Sequence, residues 1–188
     1  DDADERVRRI AVEGFGHFEN DRPVEYLVDA LRDDSAAVRR TAVYSLIQLL
    51  SNVPTERSHD IREAVVERLA ATEDETVVAP LVEILQESTQ AAQRRNTAWL
   101  LGRVTDDQRN RTVVDALVDA LDDEDSMTSQ FAATSLAQIG GDYAEDELLA
   151  LATDDGVATD ARGQAVFTLG KVGGAETRER LEKLLDET

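Results

Sequence analysis

The sequence predicts an all-α solenoid, a stack of helix pairs sharing one continuous core. Three observations lead there. A segment of the form Val-Arg-x-x-Ala-x-x-x-Leu/Phe recurs along the chain, and a second, Val-x-x-Leu-Val-x-x-Leu, recurs between its copies. In both, apolar residues fall at i, i+4 and i+7 or i+8, which is one face of a 3.6-residue helix and not strand alternation.

The elements follow in order. Val7-Arg8-Arg9-Ile10-Ala11 with Phe15-Gly16 gives a first helix over 4–18, and Val24 to Leu31, with Pro23 in the first turn, gives a second over 22–33. Asp33-Asp34-Ser35 supplies a break and an N-cap. The first pattern then returns 31 positions on, as Val38-Arg39-Arg40-Thr41-Ala42, for a helix over 35–51 whose Val38, Ala42, Leu46 and Leu49 share a narrow sector. The insertion Ser51 to Ser58, with Pro54, breaks the period. Ile61-Arg62 and Val65 to Leu69 predict a helix over 58–71 that fits either pattern, so the repeat is irregular over 52–75. Val78 to Leu85 gives 75–87, with Pro80 expected in its first turn, and Gln93-Arg94-Arg95-Asn96-Thr97 with Leu101-Gly102 gives 90–104. Val114 to Leu121 gives 109–122, and Ala132 with Leu136 gives 125–139. After Gly140-Gly141-Asp142, Leu148 marks 143–152. Ala161-Arg162, Ala165 and Leu169-Gly170 mark 158–172, and Leu181 to Leu185 marks 175–187.

Composition agrees with this reading and narrows the function. Of 188 residues 41% are apolar, enough for a core, and only three are proline. Cysteine is absent, which removes disulfides and thiolate chemistry. There is no run of about 20 apolar residues to cross a bilayer and no signal-peptide pattern, so a cytoplasmic location is expected. The chain does not begin with Met, so a segment upstream is expected to have been trimmed. Forty acidic residues oppose twenty basic ones, a net charge of −20, and the basic residues are almost all Arg. This balance resembles proteins of extreme halophiles, where the Debye length of about 3 Å in molar salt removes the repulsion among carboxylates.

The signature Val-Arg-x-x-Ala-x-x-x-Leu/Phe-Gly, at a period near 31–35, resembles HEAT-like repeats of the phycobilisome-lyase type over nearly the whole chain. The resemblance implies a right-handed α–α superhelix of about five to six helix pairs in a single domain, 1–188. It implies little about function. Similar families include bilin lyases, adaptor proteins, an iron-dependent hydroxylase and alkyl-base DNA glycosylases, and most resemble scaffolds. The expectation is a non-catalytic protein-binding scaffold without cofactor. The alternatives are a chromophore lyase-like enzyme and, last, a nucleic-acid binder.

Several residue sets are candidates. Arg8, Arg39, Arg94 and Arg162, with Arg62 as a further member, form a ladder that resembles the inter-repeat staple of HEAT-like families. Each is expected to pair with a carboxylate of the preceding turn, such as Asp33, Asp34 or Asp160, because Arg suits bidentate pairing; Ser129 stands where another Arg would. Glu25, Asp29, Glu83, Asp115, Asp119 and Asp146 recur on second helices, which line the concave face of such solenoids; they form a candidate acidic groove for a partner protein with a basic segment. Tyr44, Trp99 and Phe167 occupy matching positions on first helices, opposite the core face, and are candidate contact residues. Gly16, Gly102 and Gly170 are expected to permit close packing or a tight exit. His17 and His59 lack the company a metal site needs, and no nucleophile elbow or phosphate loop is present. Arg94, Arg95, Trp99, Arg103, Arg109 and Arg111 make the locally basic patch, diluted by Asp106, Asp107 and Asp115, so nucleic acid is disfavoured.

Overall fold

A computed structural model describes residues 4–53, 55–70, 75–105, 110–172, 174, 177–180 and 182. Among them every regular element is helical, and no strand occurs. The helices are α1 (Glu5–Phe15), α2 (Val24–Ala30), α3 (Ala36–Asn52), α4 (Thr55–Ala70), α5 (Glu75–Glu87), α6 (Ala91–Val104), α7 (Arg111–Asp119, continued by a 3-10 turn at Ala120–Asp122), α8 (Ser126–Ile139), α9 (Asp142–Thr153) and α10 (Thr159–Val172). Ten of the eleven expected helices thus appear in the expected order. Residues 177–180 are helical too, but most of the range 175–187 lies outside the described residues.

The termini follow side-chain chemistry. Asp4, Ser35, Asn110 and Asp125 each accept a bond from a backbone N–H of the first turn of α1, α3, α7 and α8, at 2.9, 3.4, 3.3 and 2.9 Å. Gly140 and Gly141, at φ 61° and 91°, turn the chain from α8 into α9 through backbone angles that side chains disfavour. Three expectations need correction. Pro23 stands at the N-cap of α2, one place earlier than expected. Helix α3 runs to Asn52 and α4 starts at Thr55, so most of the supposed insertion is helical. Pro80 lies in the second turn of α5, where it lacks an N–H to bond the carbonyl of Thr76.

The chain packs as two units, Asp1–Val104 and Thr105–Thr188. In the first, α3 is central and packs against α1, α2, α4, α5 and α6. Hence it buries the predicted Val38, Ala42, Leu46 and Leu49 and also Val43, Ile47 and Leu50 on a second face. Where α1 crosses α3 the backbones nearly touch: a Cβ on Gly16 would sit 2.9 Å from the Ser45 Cα. A thread of amides joins three helices here. The Ser88 hydroxyl donates to Gln93 Oε1 (2.6 Å), Gln93 Nε2 to Gln48 Oε1 (2.7 Å), Gln48 Nε2 to Asn52 Oδ1 (3.0 Å), and Asn52 Nδ2 to the Gly16 carbonyl (3.3 Å). These bonds are directional, so they fix register where burial alone would allow sliding.

In the second unit α8 packs against α7 and α10, and α9 against α7 and α10. Val113, Leu117, Ala132, Leu136, Leu148, Ala165 and Leu169 form its core, each at most 1% exposed. Gly170 corrects another expectation. It is exposed, and a Cβ added to it would meet nothing within 4 Å, so packing gives no reason for glycine there.

Candidate binding surfaces

Arg39, Arg94 and Arg162 fasten their helices to the loops before them, largely through backbone acceptors, while Arg8 of α1 reaches forward to the loop after α2. Arg8 forks onto Asp33, Nε to Oδ2 at 2.7 Å and Nη2 to Oδ1 at 2.9 Å. Asp33 also accepts from the Ser35 N–H, and the Arg8 bond holds its carboxyl below the ordinary aspartate value. Arg39 donates instead to the carbonyls of Asp33 (2.7 Å) and Asp34 (3.0 Å), and Arg94 to the carbonyl of Ser88 (2.9 Å). Arg162 donates to the carbonyl of Ala152 (3.3 Å) and pairs with Asp155 (3.1 Å), not Asp160. The reason is geometric: carbonyls at the end of a helix lack intrahelical donors, and a guanidinium on the next helix reaches them. Ser129, in the ladder position of α8, satisfies itself locally by donating to the Ser126 carbonyl at 3.1 Å. Arg62 leaves the ladder and donates to Asn96 Oδ1 at 2.7 Å.

The acidic candidates divide by occupancy. In the first unit Glu25 and Asp29 are exposed, while Glu83 is ion-paired with Arg40 of α3. Burial first, then hydrogen bonding to Glu83, raises the Tyr44 phenol above its ordinary value. In the second unit Asp119 is exposed, Asp115 accepts from the Tyr143 hydroxyl at 2.7 Å, and Asp146 pairs with Arg180 at 3.0 Å. The bond to Asp115 pushes Tyr143 up to about 12, and Arg111 lies 4.8 Å from its ring centre. Glu83, Asp115 and Asp146 are therefore engaged within their own unit, and sequence spacing could not show their partners.

The aromatic candidates separate likewise. Tyr44 is half-buried, with the Arg40 guanidinium 5.7 Å from its ring centre. Trp99 is half-buried beside Arg103 at 4.1 Å and Arg62 at 5.6 Å. Phe167 is 59% exposed, with the Lys171 ammonium 4.4 Å from its ring centre. The basic patch does not act as one surface: Arg94 is buried on Ser88, Arg103 donates to the Trp99 carbonyl at 3.0 Å, and Arg109 lies outside the described residues, as do Asp106 and Asp107.

Two grooves open in the first unit. One, about 590 Å³, runs between α1 and α3 past Arg9, Glu13, His17 and Tyr44. The other, about 560 Å³, runs between α2 and α4 past Asp21, Glu25, Tyr26, Asp60 and Arg68. Tyr26 is 62% exposed, its ring stacked on Phe15 at 5.4 Å. Sequence reasoning missed Tyr26, although an aromatic between Glu25 and Leu27, on the polar side of α2, was a signal. Among the described residues no three His, Cys, Asp or Glu converge for a metal, His59 meets Glu63 at 3.2 Å, and no helix is long and apolar enough to cross a membrane.

A family model for HEAT repeats matches residues 1–77 and 78–161. The chain is similar to a HEAT repeat-containing taxis protein of Halobacterium salinarum, 48% identical over 143 residues, which are 76% of this chain and 35% of the relative. It thus spans about a third of that relative's length. Among solved structures, a designed armadillo repeat protein matches with TM-score 0.47 and 17% identity, covering 97% of this chain and 84% of the other. The archaeal HEAT-like repeats protein from Thermococcus onnurineus matches with TM-score 0.36 and 15% identity, over 91% and 83%. The two family matches, laid over helices that recur with the predicted ladder and core positions, show that the chain belongs to the HEAT repeat family.

Proposed function

We propose that the chain is a non-catalytic scaffold of a taxis signalling assembly, holding a basic segment of a partner protein in the groove between α2 and α4. The observation that carries this reading is Tyr26, an aromatic ring 62% exposed and braced from behind by Phe15, standing beside Glu25 in a groove that Asp21 and Asp60 also line. A rigid exposed ring gives a partner contact area at little entropic cost, and Asp21, Glu25 and Asp60, which outnumber Arg22 and Arg68 in the lining, favour a cationic segment. The relative's description as a taxis protein supports the signalling context. A charge of −20 and that relative's source support work in a cytoplasm of molar salt, where charges are screened and the aromatic contact carries most of the affinity.

The test immobilises the chain in molar KCl over an extract of halophilic cells and identifies the retained proteins. The wild type is expected to retain a reproducible set that the double variant Glu25→Lys, Tyr26→Ala loses while keeping its far-UV circular dichroism. Equal retention by both sinks the groove reading. A coloured small molecule in place of protein would support the lyase-like alternative instead.

A further inference from the structure

Arg8, Arg40, Arg162 and Arg180 reach carboxylates, and Arg39 and Arg94 reach loop carbonyls. Arg62 of α4 and Arg103 of α6 are set apart by a shared aromatic neighbour. Their guanidinium carbons stand 5.6 and 4.1 Å from the centre of the single Trp99 ring. Arg62 donates to the Asn96 amide oxygen and Arg103 to the Trp99 carbonyl, each a neutral acceptor. Neither meets a carboxylate among the described residues, in a chain with 40 acidic residues against 20 basic ones. The Arg62 Nε is buried without a hydrogen-bond partner.

Burial disfavours the charged form of both groups, and the charge of Arg62 weighs further on Arg103. Two part-buried cations beside one indole ring thus have no carboxylate partner among the described residues. Asn96 is itself fixed, its Nδ2 donating to Ser51 Oγ at 3.1 Å, so the Arg62 fork is set in orientation. A guanidinium carries five N–H donors; the Arg62 Nε is enclosed and one Nη of each arginine is used, which leaves the remaining Nη donors for an external acceptor. Carboxylate is what this chain has in excess, and none among the described residues meets either guanidinium. A doubly charged oxyanion neutralises both guanidiniums at once and matches their planar forks.

We propose that Arg62, Arg103 and Trp99 form a binding site for a phosphate group, delivered as free phosphate or on a small ester. The site shares α4 with the groove described above but none of its lining residues, so either can fail without the other.

Trp99 is the sole tryptophan, so its emission reports on this cluster. The full chain is titrated at constant KCl with inorganic phosphate, phenyl phosphate and acetate in parallel. Phosphate is expected to give a saturable change and acetate none. Arg62→Gln and Arg103→Gln are each expected to weaken binding by about tenfold or more, and Arg62→Lys, which keeps the charge but loses the fork, by less. Arg111→Gln, in the other unit, is expected to leave binding unchanged. Tighter binding of phenyl phosphate than of phosphate identifies an ester as the source; the reverse identifies the free ion. For the ester, affinity is expected to fall below about pH 6, where the dianion is protonated. A linear response, an equal response to acetate, or full affinity in both glutamine variants overturns the proposal. Should Arg62→Gln unfold by circular dichroism, Arg103→Gln decides alone.

Discussion

Gly16 and Gly170 hold the same place in the recurring pattern, yet the structure predicts opposite responses to alanine. At Gly170 the new Cβ meets nothing within 4 Å, so the substitution acts only on the chain's freedom and on helix propensity. Glycine inside a helix is about 1 kcal/mol worse than alanine. For a chain of this size that corresponds to a rise in Tm of about 2–4 °C. At Gly16 the Cβ would stand 2.9 Å from the Ser45 Cα and 3.1 Å from both the Ser45 Cβ and its carbonyl oxygen. Two of these three are main-chain atoms, which no rotamer change can move, so α1 must shift from α3. Overpacking of that kind costs about 1–3 kcal/mol. The backbone of Gly16, at φ −64°, is ordinary helical, so the loss comes from contact and not from torsion. The assay is thermal melting followed at 222 nm in one fixed KCl concentration. Shifts of the same sign in both variants, or a destabilised Gly170→Ala, would refute the reasoning.

Other outcomes follow from the same structure. Leu46→Ala, Leu101→Ala and Leu136→Ala each empty a side chain at most 1% exposed and should cost about 2–5 kcal/mol, read by chemical denaturation. Asp33, held low by Arg8, adds stability above the unfolded aspartate value near pH 4 that is lost as pH falls through its lower folded value; Asp33→Asn should therefore flatten the acid limb of the stability profile. Tyr143 should ionise near pH 12 in a spectrophotometric titration, and Asp115→Asn should bring it back toward 10. Its contribution to stability is present below pH 10 and lost as pH rises through 12. With a net charge of −20, Tm should climb steeply with KCl, and a Tm indifferent to salt would remove the halophilic reading.

Helix order was legible because a helix in a stack must bury one stripe, and a buried stripe has a period. That suffices to place Val38, Ala42, Leu46 and Leu49 on one face of α3. It does not show that α3 is covered on a second side, because Val43, Ile47 and Leu50 become core only once the helices around α3 are laid against it. Asp33 was expected to hold the arginine of the turn that follows it, and its carboxylate holds Arg8 of the first helix instead. The carbonyls that receive Arg39 and Arg94 were not readable, since every residue has one and only the fold selects among them. Likewise the acids at 83, 115 and 146 look alike in sequence, but Arg40, Tyr143 and Arg180 reach them from distant positions and leave Glu25, Asp29 and Asp119 to solvent. Tyr26 escaped notice because it falls outside the repeating columns, and it is the non-repeating residues that distinguish one surface from another.

The thread from Ser88 through Gln93, Gln48 and Asn52 to Gly16 bears on how such a chain can be edited. Repeats of this kind invite cutting and splicing as interchangeable modules. Here four polar side chains of α3, α6 and the loop before α6 interlock with the end of α1 like the pins of a tumbler, and transplanting one of these helices without the others strands part-buried amides with no mate. An evolving or designed array built from this unit must therefore move those positions as a set.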